Sequence, residues 1–429
     1  MRYYSLNQQS PAVSFREATI LGQAPDKGLY FPEEIPRLPK GFLESLDNLS
    51  NEEIALEVIR PYIGNELSES QLANIVAETV NFPVPLKHVA HHIYSLELFH
   101  GPTLAFKDIG ARFMSRCLGA FLERSDKKVT VLVATSGDTG GAVANGFYDV
   151  PGVEVVILYP SGKVSPVQEK QLTCLGKNIK ALEVKGSFDD CQRLVKQAFA
   201  DAELNKKHFL TSANSINVAR WLPQQFYYFL AWKQSRHKDQ APVISVPSGN
   251  FGNICAGILA WASGLPVKHF IAACNANDTV TRYLHTEQWE PRETIPTLSN
   301  AMDVALPSNF VRVMEIFEQQ LPSVKNMLSS AKVSDATTLE VIRFVQEEYD
   351  YLLDPHGAVA YEALVTYLQH HPGQWGYLLE TAHPVKFPEA ILKATGEDVP
   401  IPESLLPLLE REKVSVTISN EYAEFVAAL

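Results

Sequence analysis

From about residue 93 onward, short apolar runs alternate with longer stretches whose apolar residues recur every three or four positions. The runs predict strands at 129–134, 153–159, 179–184, 209–212, 243–246, 270–273 and 377–379. The longer stretches predict helices at 164–175, 189–200, 218–233 and 253–262. Residues 301–372 read as mostly helical, with 335–351 the clearest case. Such alternation belongs to an α/β protein with parallel sheets covered by helices on both faces. The first 85 residues differ. Turn residues crowd the start (Pro25-Asp26-Lys27-Gly28, then Pro32, Pro36 and Pro39), and helical patterns follow at 42–60 and 68–79. Phe82-Pro83-Val84-Pro85 marks a boundary, because proline stops both helix and strand. The expected organisation is a mainly helical N-terminal module over 1–85 and an α/β region over 86–429, with no internal repeat or low-complexity segment.

Composition narrows the classes. A chain of 429 residues has room for about two or three domains and a large core. The net charge of −12, with no basic stripe, argues against nucleic acid, and no polybasic segment offers a membrane anchor. The longest apolar stretch, about 254–265, is far short of a membrane span. The N-terminus has no apolar signal core. The five cysteines are odd in number, scattered and without metal-ligand spacing, so reduced core thiols, a cytoplasmic location and no metal site are expected. An acidic chain that handles an anion must build positive potential locally, from backbone amides and a few placed lysines and arginines.

Four stretches could do so. His100-Gly101-Pro102-Thr103-Leu104-Ala105-Phe106-Lys107-Asp108 leads through a rigid turn to one lysine, and an amphipathic helix follows from about residue 109. A lysine held among apolar neighbours has a lowered pKa and can form a Schiff base; the bland alternative is a surface lysine paired with Asp108. Thr135-Ser136-Gly137-Asp138-Thr139-Gly140-Gly141 follows a strand and opens a helix, which suits a carboxylate or phosphate, or is an ordinary turn with a capping threonine. Ser248-Gly249-Asn250-Phe251-Gly252-Asn253 sits likewise between strand and helix and reads as a phosphate cradle or a plain tight turn. It is neither GxGxxG nor a Walker A loop. Asn214-Ser215-Ile216-Asn217-Val218-Ala219-Arg220 supplies amide, hydroxyl and guanidinium donors, or merely caps a helix beside a surface arginine. Lys163 is a further candidate donor, or a solvated loop lysine. His91 and His92 are expected to face solvent, His356 to be a structural turn residue, and Glu97 to be a strand-end charge before a catalytic one. HExxH and GxSxG are absent.

One lysine, a glycine phosphate loop far downstream and a hydroxyl-rich anion turn between them resemble the fold type II pyridoxal-phosphate enzymes, the tryptophan-synthase-β-like group. The stretch around Lys107, Thr135 to Gly140, Ser248 to Gly252 and Thr381-Ala382-His383-Pro384 narrow the resemblance to the threonine synthases. Val13-Ser14-Phe15 and Gly28-Leu29-Tyr30-Phe31-Pro32 extend it, so that it covers about residues 3–390. The resemblance implies two parallel-sheet α/β subdomains, the smaller at about 130–215, behind the N-terminal module. It implies that Lys107 carries pyridoxal phosphate as a Schiff base. The amides of Gly249, Asn250, Phe251 and Gly252, flanked by Ser248 and Asn253, would bind the cofactor phosphate, and Thr381 its pyridine nitrogen. Ser136, Gly137 and Thr139 would meet the substrate carboxylate or phosphate, and Asn214, Ser215 and Arg220 with Lys163 the substrate phosphate. Asp138, also on the substrate side, stands where cysteine-synthase relatives carry asparagine, so the resemblance does not supply its role. The implied reaction converts O-phospho-L-homoserine and water to L-threonine and phosphate, with Lys107 moving protons. The rival is another fold type II lyase, a serine/threonine dehydratase or a phospho-homoserine lyase. A non-catalytic phosphate-binding module has no use for Lys107. Whether the protein is a monomer or a homodimer stays open.

Overall fold

The computed structural model describes residues 1–123 and 128–429. Two sheets position everything that follows. The larger runs, in order, through Leu328–Lys332, His269–Cys274, Val243–Pro247, Gly376–Glu380, Ile93–Glu97 and Leu86–Ala90. All its neighbours are parallel except the hairpin of the last two. The smaller runs Val416–Ser419, Ile179–Lys185, Val153–Pro160, Val129–Ala134 and Phe209–Ser212, all parallel. The central strands are buried along their length, as sheets covered on both faces require.

The seven expected strands all form, each within a residue of its expected ends. The strands that pattern reading misses are edge strands or hairpins. Leu328–Lys332 and Val416–Ser419 carry serine, threonine or lysine on a half-exposed edge, so their apolar content is too low to stand out. The segment 301–372 is therefore helical with one strand inserted, and the C-terminal strand returns to the smaller sheet. The expected helix at 218–233 forms as Val218–Trp221 and Phe226–Gln234, joined by a tighter turn at Leu222–Gln225 that holds Pro223.

The N-terminal region adds three short antiparallel strands, Val13–Ser14, Arg2–Ser5 and Tyr30–Pro32, to the helices Asn51–Ile63 and Glu69–Thr79. Ser50 and Ser68 cap these helices in reciprocal boxes with Glu53 and Gln71. Its buried residues Tyr3, Phe15, Ile59 and Tyr62 join one continuous apolar core with Phe113, Trp221 and Ile258. Among the described residues this apolar core includes side chains from both sides of position 85.

Candidate active site

Lys107 is the first residue of the helix Lys107–Leu122, two residues earlier than the apolar pattern suggests. The loop before it turns back sharply at Leu104, whose φ of 58° is in the left-handed region. That reversal lays the loop along the segment after Gly376–Glu380. Phe106 N–H donates to Thr381 O (2.9 Å), His383 N–H donates to Leu104 O (3.1 Å), and Ala105 pairs with Ala382. The lysine and the Thr381 motif, 274 positions apart, therefore form one structure. Asp108 is not the partner of Lys107. Its carboxylate accepts from Thr103 N–H (2.9 Å) and from the Thr103 hydroxyl, and so fixes the loop.

Among the described residues the Lys107 amine makes no hydrogen bond or ion pair; its ammonium end lies 5.4 Å from the Phe106 ring. Burial lowers its pKa, Asp138 opposes that, and Lys386 and Arg220 lower it further, with Asp354 opposing. A lysine so placed is the nucleophile that carbonyl chemistry needs.

The two glycine turns sit at the carboxyl ends of parallel strands, where open α/β sheets bind ligands. In the first, Thr135 Oγ1 accepts from Gly137 N–H (3.0 Å) and Gly140 N–H (2.8 Å), which shapes the turn. Asp138 then opens the helix Asp138–Phe147. Ser136 and Thr139 stay partly accessible in this otherwise buried turn. In the second, Phe251 takes a left-handed φ of 61° and leads into the helix Gly252–Ser263. A Cβ on Gly249 would lie 2.6 Å from Met302 Cα, so the cradle closes against backbone. The side chains of this turn are engaged within the protein. Ser248 Oγ donates to Val246 O (2.8 Å), Asn250 Oδ1 accepts from Ser308 N–H (2.6 Å), and Asn253 Oδ1 accepts from Tyr227 (2.7 Å) and Tyr228 (2.8 Å). What the turn offers a ligand is backbone amide at a helix N-terminus and the buried, unpartnered Nδ2 of Asn253.

The third candidate turn lies against the second. Ser215 Oγ accepts from the Asn250 amide and from Asn309 Nδ2 (3.3 Å). Arg220 is buried with its guanidinium given only to Ala213 O, and its Nε has no partner; Asn214 Oδ1 is likewise buried and unpartnered. Burial pulls Arg220 down to about 10, with Asp108 opposing. Lys163 is exposed beyond the strand Val153–Pro160, and among the described residues no hydrogen bond or ion pair joins it to these residues. The site thus gathers every sequence candidate except Lys163.

Several residues at the site give no motif signal. Lys386 is wholly buried, and its Nζ lies 2.7 Å from Asp138 Oδ1 and 2.8 Å from Thr103 O. Gln168 Nε2 donates to the same Asp138 oxygen (2.9 Å). Burial pushes the Asp138 carboxyl up, but the ammonium groups of Lys386 and Lys107 and the bonds from Lys386 and Gln168 outweigh it and hold it well below the usual carboxylate range. Arg312 reaches Tyr30 O (2.9 Å), Ile216 O (2.7 Å) and Asn309 Oδ1 (2.8 Å), tying the N-terminal sheet to the Asn214 turn. The one available hint was a lone lysine in the apolar run Pro384-Val385-Lys386-Phe387. His356 is buried and bonded to Asp354, and Glu97 is bonded to His100 (2.7 Å) and Tyr351 (3.1 Å).

These residues fit pyridoxal phosphate. A desolvated amine without a protein partner suits its aldehyde, and the Gly249 cradle with the unpartnered Asn253 Nδ2 suits a phosphate. The comparisons agree. Residues 78–376 match the model of pyridoxal-phosphate dependent enzymes, residues 2–80 the threonine synthase N terminus, and residues 357–429 the threonine synthase C-terminal region. The chain is 45% identical to threonine synthase of Haemophilus influenzae, over 100% of this chain and 99% of that one. The crystal structure of threonine synthase from Escherichia coli superposes with a TM-score of 0.93 at 44% identity, covering 100% of this chain and 99% of that one. The pyridoxal-phosphate-bound threonine synthase from Brucella melitensis gives 0.92 at 34%, covering 100% and 98%. The chain belongs to the threonine synthase family of pyridoxal-phosphate-dependent enzymes.

Proposed function

We propose that this chain converts O-phospho-L-homoserine and water to L-threonine and phosphate, with Lys107 as the cofactor-bearing and proton-moving residue. The observation that carries the reading is a desolvated, half-buried amine with no hydrogen bond or ion pair among the described residues, set beside two separate groups of anion donors. One group is the amides of Gly249, Asn250, Phe251 and Gly252, which would hold the cofactor phosphate, while Thr381, tied by its carbonyl to the Lys107 loop, would meet the ring. The other is Arg220 with Asn214 and Ser215, which would hold the substrate phosphate. An arginine whose guanidinium is desolvated and unpaired is costly to bury unless a ligand anion completes it. Ser136, Gly137 and Thr139 would take the substrate carboxylate.

Bound pyridoxal phosphate supplies the electron sink for loss of the Cα proton. Lys107, whose pKa desolvation lowers, can accept that proton and return it. Arg220 holds the phosphate at the far end of the substrate, so the leaving group is oriented before its bond breaks. The low dielectric around these buried groups strengthens each contact with the charged substrate. The five cysteines are free thiols, which supports a place in the reducing cytoplasm.

Borohydride reduction of the holoenzyme followed by peptide mass spectrometry should find the cofactor on Lys107. Lys107→Ala should abolish turnover in a folded protein. Label on another lysine, or full activity without Lys107, would end this reading. Assays with O-phosphohomoserine should release phosphate with threonine; 2-oxobutanoate as the main product would move the chain to a lyase.

A further inference from the structure

Lys386 and Asp138 form a buried ion pair whose ends come from different parts of the chain. Asp138 opens a helix of the smaller sheet's layer. Lys386 ends the turn Pro384–Lys386, which follows Thr381 on the larger sheet. The same ammonium also donates to Thr103 O (2.8 Å), the carbonyl that Gln171 Nε2 reaches from the smaller layer (3.0 Å). Four contacts thus converge on two oxygens, one in the anion turn and one in the Lys107 loop. A buried ion pair adds little stability over an apolar pair of the same size, so stability alone does not explain it.

We propose that Lys386, through Asp138, is a positioning residue that holds the anion turn against the Lys107 loop and sets the balance of charge around the Lys107 amine. The charged groups whose fields reach that amine are Asp138, Lys386, Arg220 and Asp354, and Asp108 is its chain neighbour. With Lys386 on Asp138, the carboxylate is engaged and favours a protonated Lys107 less. Removing the Lys386 charge frees Asp138 to favour protonated Lys107. Removing the Asp138 charge leaves Lys386 and Arg220 to disfavour it. The two substitutions therefore push in opposite directions, which a packing role would not produce.

The inference rests on Lys107 as the cofactor-bearing lysine, and borohydride labelling of the wild-type holoenzyme tests that separately. Two quantities are then read on holoenzyme variants: the acid limb of kcat/KM against pH, and a pH titration of the lysine–cofactor absorbance band. Lys386→Gln, which keeps a donor, should move both midpoints to higher pH by about one unit. Asp138→Asn should move both to lower pH. The double variant, with a neutral pair, should return close to wild type. Singles that shift together, or that leave both midpoints in place, overturn the proposal while the labelling result stands. Should either single variant fail to fold, the double decides. A wild-type midpoint supports the proposal; a displaced midpoint, or a double variant that also fails to fold, assigns the pair to packing and overturns it.

Discussion

The turn after Val129–Ala134 and the turn after Val243–Pro247 both leave a parallel strand and enter a helix, yet only the first carries a charge. The second offers backbone amides and the unpartnered Asn253 Nδ2, with its Ser248 and Asn250 side chains spent on neighbouring protein. Amides at a helix N-terminus hold a phosphate over the whole working pH range, because nothing in them titrates. Asp138 in the first turn needs a counter-ion, and Lys386 brings it from the far side of the site. The uncharged turn suits a group that stays bound through many turnovers. The charged turn suits the side where substrate enters and phosphate leaves, since its charge couples it to a second part of the chain.

The largest effect expected from this contrast is at Gly249. An alanine methyl there meets Met302 Cα, which is backbone and cannot swing aside. Overpacking of that kind costs about 2–3 kcal/mol, so Gly249→Ala should weaken cofactor retention by about a hundredfold, read by absorbance during dialysis. At Gly137 the atoms in the way belong to the Gln168 side chain, and the backbone φ is 135°. Gly137→Ala should raise KM for the phosphorylated substrate while cofactor retention stays near wild type. Equal loss of cofactor from both variants would erase the distinction between the turns.

Arg220→Ala comes next. A charge-assisted bond contributes about 1.5–3 kcal/mol, so KM for the phosphorylated substrate should rise by about tenfold to a hundredfold. Cofactor affinity, from an absorbance titration of the apoenzyme, should change far less. A matching loss of cofactor would place Arg220 on the cofactor side of the boundary.

How far the sequence reveals this site follows from what each residue must do. Lys107, the Ser248 turn and the Thr135 turn are legible because glycine, hydroxyl and lysine recur at positions that strand–turn–helix geometry dictates. The central strands are legible because burial on both faces demands unbroken apolar runs. Lys386, Gln168 and Arg312 are not, since each acts across a long separation in sequence that only the folded chain closes. Lys163 shows the opposite failure. It has the right chemistry and a plausible turn, but the strand before it delivers it to solvent. Edge strands such as Val416–Ser419 escape for a related reason: an edge is half wet, and its polar residues hide the period.

The smallest effect should fall at Ser215, where the two anion sites share a wall. Its hydroxyl accepts from Asn250, in the cofactor cradle, and from Asn309, whose Nδ2 also donates to Asn250 O (3.1 Å). Ser215→Ala removes an acceptor and leaves part of the Asn250 and Asn309 amides unsatisfied, at a cost of about 1 kcal/mol. Because the hydroxyl touches the cradle and its chain neighbour Asn214 is proposed for the other site, the loss should be divided, with cofactor affinity and KM each worse by a few-fold. A change in KM alone would mean that the cradle is held by Asn309 and the backbone without Ser215. A change in cofactor affinity alone would mean that Ser215 belongs wholly to the uncharged turn, and that Arg220 and Asn214 hold the substrate phosphate without it.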